Sequence, residues 1–358
     1  MPIEFKSVSQ VLDHGYDTVI DVRSPSEFAE DHIPGAINLP VLDDDERAEV
    51  GTIYVQQSSF LARKIGAAKV FRNAAHHIET SLRDRDGGWR PLVYCWRGGQ
   101  RSESFCWMLE QIGWRSDTID GGYRSYRRLV NEALYTQPMP FRLILLDGYT
   151  GTAKTDVLHR LADRGLQVLD LEGLAHHRGS LLGGMPDAQP SQKAFESGIA
   201  AALAGMSADR PVLVEAESSK IGARIIPPCL WKAMISAARV EITADLEARA
   251  GYLVRAYDDI LSDQPRLRTQ LAHLRALRGH SVVDDWLSLA AAGDKRSLTR
   301  ALVLQHYDPS YETSRRSVAA PVAETVHADR LDEPGLERLA DAVEAAVGRV
   351  SQTPSTVM

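Results

Sequence analysis

The stretch Tyr94-Cys95-Trp96-Arg97-Gly98-Gly99-Gln100-Arg101-Ser102 follows a short apolar run, Pro91, Leu92 and Val93, and leads into a helical pattern carrying Phe105, Trp107, Met108 and Leu109. That order is strand, tight loop, helix, and a chain that repeats it is committed to a sheet covered by helices. A cysteine leaving the strand faces the helix N-terminus, where inward-pointing N–H groups and the positive end of the dipole favour the thiolate. Arg97 and Arg101 add full positive charges, and Gly98 and Gly99 let the loop curl until its amides converge. Trp96, Gly98, Gly99, Gln100 and Ser102 are therefore expected to form an anion cradle, with Cys95, Arg97 and Arg101 as its catalytic groups. Such a thiolate can carry sulfur or selenium, or attack phosphorus.

The same alternation occurs earlier. Thr18-Val19-Ile20-Asp21-Val22-Arg23 reads as a short buried strand ending in charges, and Ser24-Pro25-Ser26-Glu27-Phe28 as a helix start with Ser24 as N-cap and Pro25 in the first turn. Asp31-His32-Ile33-Pro34-Gly35-Ala36-Ile37-Asn38-Leu39-Pro40 turns into another strand, with His32 in a structural hydrogen-bonding role. Asp43-Asp44-Asp45-Glu46 reads as a solvated loop or a helix start. Strands alternating with helices imply a parallel sheet whose functional loops lie at the strands' carboxyl ends, where Cys95 falls. In this order and spacing, the Asp21–Phe28 and Asp31–Asn38 motifs and the Cys95 loop resemble a rhodanese domain, in which the first two are structural and the third catalytic. The Cys-x5-Arg-Ser spacing from Cys95 to Ser102 is also that of cysteine-dependent phosphatases, whose loop encloses a tetrahedral oxyanion, so a phosphate-sized anion is expected here. Tyr94 stands where that family has histidine.

Ser116 to Tyr123 reads as a last strand and turn, followed on a helix by Arg124, Arg127 and Arg128, which contact phosphates or are simply solvated. Thr136-Gln137-Pro138-Met139-Pro140 has the composition of a linker and closes a first domain at residues 1–136. Beyond it, Phe141 to Asp147 is a buried strand, and Gly148-Tyr149-Thr150-Gly151-Thr152-Ala153-Lys154-Thr155 runs into Val157, Leu158 and Leu161 at helical spacing. This nearly matches the P-loop, in which backbone amides wrap a diphosphate, Lys154 bridges its oxygens and Thr155 holds Mg²⁺. Ala153 departs from the motif's glycine.

Gln167-Val168-Leu169-Asp170-Leu171-Glu172 is read as the next strand, opening toward His177 and Arg178 as substrate-side groups. Pro211 to Lys220 supplies another buried strand with Glu215 and Glu217 at its end, either of which can serve as the second Mg²⁺-linked acid. His306-Tyr307-Asp308-Pro309 interrupts the later helices, and His306 and Asp308 join the candidate substrate or Mg²⁺-linked groups. From about residue 245 the pattern is helical; Arg249, Arg255, Arg266, Arg268, Arg275 and Arg278, interleaved with Tyr252, Tyr257 and His273, offer either a basic RNA surface with aromatic platforms or a solvated helix face. The expected architecture is α/β: a rhodanese-like parallel-sheet domain at the N-terminus, a P-loop α/β domain over residues 141–240, and a helical region over residues 241–350 that completes it and carries the candidate RNA surface.

Cys95, Cys106 and Cys229 are odd in number and widely spaced, which argues against a disulfide framework or a cysteine-based zinc site. No apolar stretch approaches the roughly 20 residues needed to cross a bilayer, and the N-terminus lacks signal-peptide anatomy. A cytoplasmic protein with no membrane partner is expected. The net charge of −7 means that an RNA partner must be held by a local basic surface.

Taken together, the Cys95 loop, the P-loop, Glu172-Gly173-Leu174 with His177 to Ser180, Glu215 to Ser218 and His306 to Pro309 resemble the bacterial tRNA 2-selenouridine synthases across residues 5–345. The resemblance implies a selenotransferase and geranyltransferase acting on tRNA with a wobble 2-thiouridine, using geranyl diphosphate and selenophosphate through a geranylated intermediate. The residues suit both steps: Lys154, Thr155, Mg²⁺ and the loop amides for a diphosphate leaving group, with an apolar pocket expected beside them, and the Arg97/Arg101 cradle for selenophosphate. The competing reading is a rhodanese-type sulfurtransferase or cysteine-dependent phosphatase fused to a small-molecule kinase-like P-loop domain.

Overall fold

Pro91–Tyr94 is buried along its whole length, as a strand covered on both faces must be. The computed structural model describes residues 2–180, 183–185, 187–315 and 321–352, and divides them into two compact units. The first unit comprises Met1–Pro138 and Pro190–Gly205. Its strands are β1 (Pro2–Ile3), β2 (Thr18–Asp21), β3 (Ile37–Asn38), β4 (Pro91–Tyr94) and β5 (Asp117–Ile119), all parallel in the order β1-β5-β4-β2-β3. The central position of β4 delivers Cys95 to the middle of the sheet's carboxyl edge, and the helix Gln100–Ile112 returns from it until Gly113 stops the turn at φ 109°.

Capping chemistry decides several starts. The Ser24 N–H donates to the Glu27 carboxylate at 3.3 Å and Pro25 opens the helix Pro25–Glu30. Asp43 to Glu46, open between loop and helix start in the sequence, is a capping box: Asp43 Oδ1 accepts from the Glu46 N–H at 2.7 Å and starts the helix Asp44–Gln56. That helix packs against Ser59–Glu79 as a hairpin, in which Gly66 permits close approach; a Cβ there would lie 3.3 Å from Val50. The helix Gln192–Ala204, which falls within residues 141–240 of the chain, also belongs to the first unit, where Ser197 Oγ donates to Asp31 at 3.0 Å and Arg127 pairs with Glu196.

The second unit, Met139–Gln189 and Met206–Met358, holds β6 (Leu143–Asp147), β7 (Gln167–Leu169), β8 (Val212–Glu215), a small hairpin of β9 (Lys220–Ile221) and β10 (Arg224–Ile225), β11 (Ala238–Ala244) and β12 (Val322–Ala328). The main sheet is parallel in the order β12-β11-β6-β8-β7, so the strand before the P-loop is its centre. Two readings change here. The strand expected from Gln167 to Glu172 ends at Leu169, because Asp170 accepts from the Gly173 N–H at 2.7 Å and caps a short helix, Leu171–Ala175. The C-terminal region is helical around a core containing Trp286, Leu267 and Leu298, yet it also returns β12 to the sheet edge, a strand too exposed on one face to stand out as a buried run.

Candidate functional site

Cys95 leaves β4 only 4% exposed, with its sulfur accepting from the Gly99 N–H at 3.4 Å and the Ser102 hydroxyl at 3.2 Å. Burial opposes ionisation, but the Gly99 amide, the Ser102 hydroxyl and the Arg101 charge outweigh it and hold the thiol below the ordinary cysteine range. Gly98 takes φ 62°, and a Cβ there would lie 2.6 Å from the Ile119 carbonyl, so only glycine seats the loop. Gly99, by contrast, has open space around it and serves through its amide. The loop is stitched underneath: Tyr123 N–H donates to the Cys95 carbonyl at 2.9 Å, and Arg23, paired with Asp21 at 2.6 Å, lies 3.9 Å from the Tyr123 ring.

Of the expected cradle groups, Arg101 is half-buried and pairs with Glu27 at 3.1 Å, while Arg97 and Gln100 are exposed. The Trp96 ring lies 5.2 Å from Tyr123. An open cleft of about 550 Å³ adjoins this site, lined by Ser24, Ser26, Glu27, Arg47, Gly51 and Val55 among others.

In the second unit, the chain turns after Asp147, whose carboxylate accepts from the Gly148 N–H at 2.8 Å and Arg239 at 3.1 Å. Lys154 Nζ donates to the Gly148 carbonyl at 2.8 Å, closing the loop on itself, and Thr152 Oγ1 donates to the Tyr149 carbonyl at 2.9 Å. Ala153, where the motif has glycine, takes the left-handed conformation at φ 62°, ψ 32° and is 3% exposed within the core. Arg249 clamps the loop from outside, donating to the Thr150 carbonyl at 3.0 and 2.8 Å and pairing with Asp308 at 2.6 Å.

Beside Thr155, the carboxylates of Glu172, Glu215 and Glu217 bring oxygens within 4.8 Å of one another. Neither Glu215 oxygen has a hydrogen-bond partner among the described residues. Burial first, and then the repulsion of neighbouring carboxylates, raises Glu172 and Glu215 well above the usual carboxylate range, and burial raises Glu217. Thr155 Oγ1 donates to Glu172 at 3.3 Å. A Cβ on Gly179 would fall 2.4 Å from Glu172 and 2.8 Å from Glu217, so the backbone of the following loop lies directly on the cluster.

Lys154, Thr155, Glu172, Glu217, His177 and Arg178 open onto one cavity of about 1160 Å³, whose lining also includes Met185, Trp231, Met234, Ile235 and Leu277. His177 Nδ1 has no partner among the described residues, and burial lowers its pKa. Arg178 is engaged by Asp259 at 3.1 Å and lies 5.1 Å from the Tyr257 ring. His306 reaches the wall of the cavity but accepts from Arg278 Nε at 3.0 Å, and burial with the Arg278 charge lowers it to about 4. Asp308 is spent on Arg249.

Several of the arginines open between an RNA surface and a solvated helix face are taken up within the fold. Arg249 is buried against the P-loop, Arg278 holds His306, Arg266 donates to the Gly184 carbonyl at 2.8 Å and Arg275 pairs with Asp284. Helical spacing of arginines does not reveal which carbonyls and carboxylates the fold will bring to them. Glu172 is the acid missed by reading it into a strand; Asp170 followed by Gly173 was the available capping signal.

Family models match both units in sequence: the tRNA 2-selenouridine synthase AAA domain over residues 141–273 and the rhodanese-like domain over residues 5–129. A tRNA 2-selenouridine synthase of Hahella chejuensis is 35% identical over 329 residues, 82% of this chain and 84% of that one. The chain belongs to the tRNA 2-selenouridine synthase family. A member from Alcanivorax borkumensis is 32% identical over 84% of this chain and 90% of its own. In this family member, then, a rhodanese-like unit carries Cys95 and an AAA-type unit carries Lys154, and no helix among the described residues is long and apolar enough to cross a membrane.

Proposed function

We propose that this protein is a tRNA 2-selenouridine synthase, an enzyme acting on tRNA, and that it works as a transferase in two steps. It converts a wobble 2-thiouridine to 2-selenouridine through a geranylated base, with geranyl diphosphate and selenophosphate as co-substrates. The observation that carries the reading is the cavity of about 1160 Å³, which joins a diphosphate-type loop to an apolar wall. Lys154 and the amides at the start of the helix Lys154–Asp163 stabilise the charge that develops on a departing diphosphate. Trp231, Met234, Ile235 and Leu277 supply apolar surface for a ten-carbon chain. The 2-thio sulfur forms a bond to the first carbon of the geranyl group as the bond from that carbon to the diphosphate oxygen breaks, and the N3 proton of the base passes to the departing diphosphate or to water.

Thr155, Glu172, Glu215 and Glu217 are hard oxygen donors of the kind Mg²⁺ takes, and the unpartnered oxygens of Glu215 favour a cation there. When bound, Mg²⁺ supplies neutralisation of diphosphate charge.

Selenium transfer uses the Cys95 unit. Arg101 and the loop amides take the phosphate end of selenophosphate; a carbon–selenium bond forms at C2 of the base, geranyl thiol leaves, and the phosphoryl group passes to water. Cys95 acts here as the group that assists departure of the thiol; the selenide-level selenium of selenophosphate would need a two-electron oxidant to form a Cys95–selenium bond.

Mass spectrometry of nucleosides from 2-thiouridine tRNA tests the reading, with geranyl diphosphate, Mg²⁺ and selenophosphate supplied to wild type, Cys95→Ala and Lys154→Ala. The expected result is a geranylated nucleoside from wild type and Cys95→Ala, selenouridine from wild type alone, and neither from Lys154→Ala. No nucleoside change in any reaction overturns the proposal. Geranyl thiol released by wild type and retained on the base by Cys95→Ala in a single turnover assigns Cys95 the assisting role, and equal release by both removes it.

A further inference from the structure

The hairpin of Asp44–Gln56 and Ser59–Glu79 supplies no group to the Cys95 loop, yet its outer face is unusual for this chain. From Val50 to Asn73 the sequence has Arg63, Lys64, Lys69 and Arg72 and no aspartate or glutamate, although the whole chain carries a net charge of −7. Lys69 is occupied by Glu49 at 3.1 Å, whereas Arg63, Lys64 and Arg72 are exposed. Helical spacing puts Phe60, Arg63, Lys64, Ala67 and Phe71 on one side, while Ala62, Gly66, Val70 and Ala74 are buried.

Rings on the hairpin and on the neighbouring helix Gln100–Ile112 are bare: Phe60 is 70% exposed, Tyr54 60% and Trp107 53%. Phe71 and Trp107 meet edge to face with centroids 6.3 Å apart. Rings interleaved with cations suit unstacked bases between phosphates. The tip between the helices, Gln56, Gln57, Ser58 and Ser59, is polar and exposed, which suits hydrogen bonding to nucleotides and not insertion into lipid. The cleft beside this hairpin is lined by Val55, Gly51, Arg47 and Glu27, and the Glu27 carboxylate pairs with Arg101 of the Cys95 loop at 3.1 Å.

We propose that this hairpin is the tRNA-docking surface of the Cys95 unit, with Arg63, Lys64 and Arg72 on phosphates and Tyr54 and Phe60 stacked on bases. The proposal rests on the tRNA reading above.

Equilibrium binding of the full chain to 2-thiouridine tRNA across a salt series tests it. Replacing Arg63, Lys64 and Arg72 together by Gln is expected to weaken binding at least about tenfold near 150 mM salt and to flatten the log–log salt slope by about 2. Tyr54→Ser with Phe60→Ser is expected to weaken binding by about tenfold with the slope unchanged. If the triple variant also unfolds at lower temperature, Lys64→Gln alone decides, with a slope change of about 0.7 to 0.9 expected. Wild-type affinity and slope in the variants overturn the surface while leaving the enzyme reading intact; failure of the wild type to bind tRNA overturns both. Binding to phosphatidylserine vesicles, or self-association lost in Phe60→Ser, with tRNA affinity unchanged in the variants, also overturns it and assigns the face to lipid or to a second copy.

Discussion

The Cys95 thiol is made more acidic by donors, not by access to water. Removing one donor should therefore show directly: Ser102→Ala raises the thiol pKa and slows alkylation of Cys95 at neutral pH by about three- to tenfold, as a pH series with mass-spectrometric readout would register. Cys106 is the internal control, since burial pushes its thiol up to about 11 and its labelling should lag at every pH below that. Ala153 presents a different balance. A left-handed alanine costs about 1 to 2 kcal/mol, but glycine in its place would lose a buried methyl group worth about 0.8 kcal/mol and loosen the unfolded chain by about 0.4 to 1 kcal/mol. The opposing effects nearly cancel, so Ala153→Gly should move stability by less than about 1 kcal/mol in chemical denaturation, which explains how the P-loop dispenses with its glycine.

At the scale of elements, β6, β7 and β8 end close together, and the carboxylates beyond β7 and β8 form the cluster of Glu172, Glu215 and Glu217. Folding raises the pKa of these groups, so the folded chain holds protons that the unfolded chain releases, and stability without a cation falls as pH rises above the ordinary carboxylate range. Mg²⁺ should accordingly raise the melting temperature more at pH 8 than at pH 5. Glu215→Gln should stabilise the metal-free chain by about 1 to 3 kcal/mol and blunt the response to Mg²⁺. His306, in the π-helical stretch Val303–Tyr307 that carries the helix Lys295–Leu302 on into Asp308–Arg315 where the sequence suggested an interruption, has the opposite sign. Its folded pKa is lowered from 6.5 to about 4, so its contribution is complete above pH 6.5 and is lost as pH falls toward 4. Thermal melts of wild type and His306→Gln over that interval should diverge, with the variant losing less.

Across the whole molecule, what was legible in the sequence was what local chemistry writes locally. The Cys95 loop and the Gly148–Thr155 loop announce themselves because a strand, a glycine turn and a helix must follow in order. Their supports come from far along the chain: Arg249 reaches Thr150, Tyr311 bonds Asp147, and Ser197 reaches Asp31 across 166 positions. Such partners are chosen by topology, which is why the arginines after residue 245 read as a surface and why β12 passed unnoticed at an edge. The helix Gln192–Ala204 is the largest case, for the chain leaves the first unit after Pro138, returns at Pro190 and leaves again after Gly205. A protease nick between residues 136 and 140 should give two bands on a denaturing gel but one peak on a sizing column. A gene fragment ending at the linker therefore omits the helix Gln192–Ala204 from the first unit, and one beginning there carries it away, so either half expressed alone leaves bare to water a surface that the whole chain keeps covered.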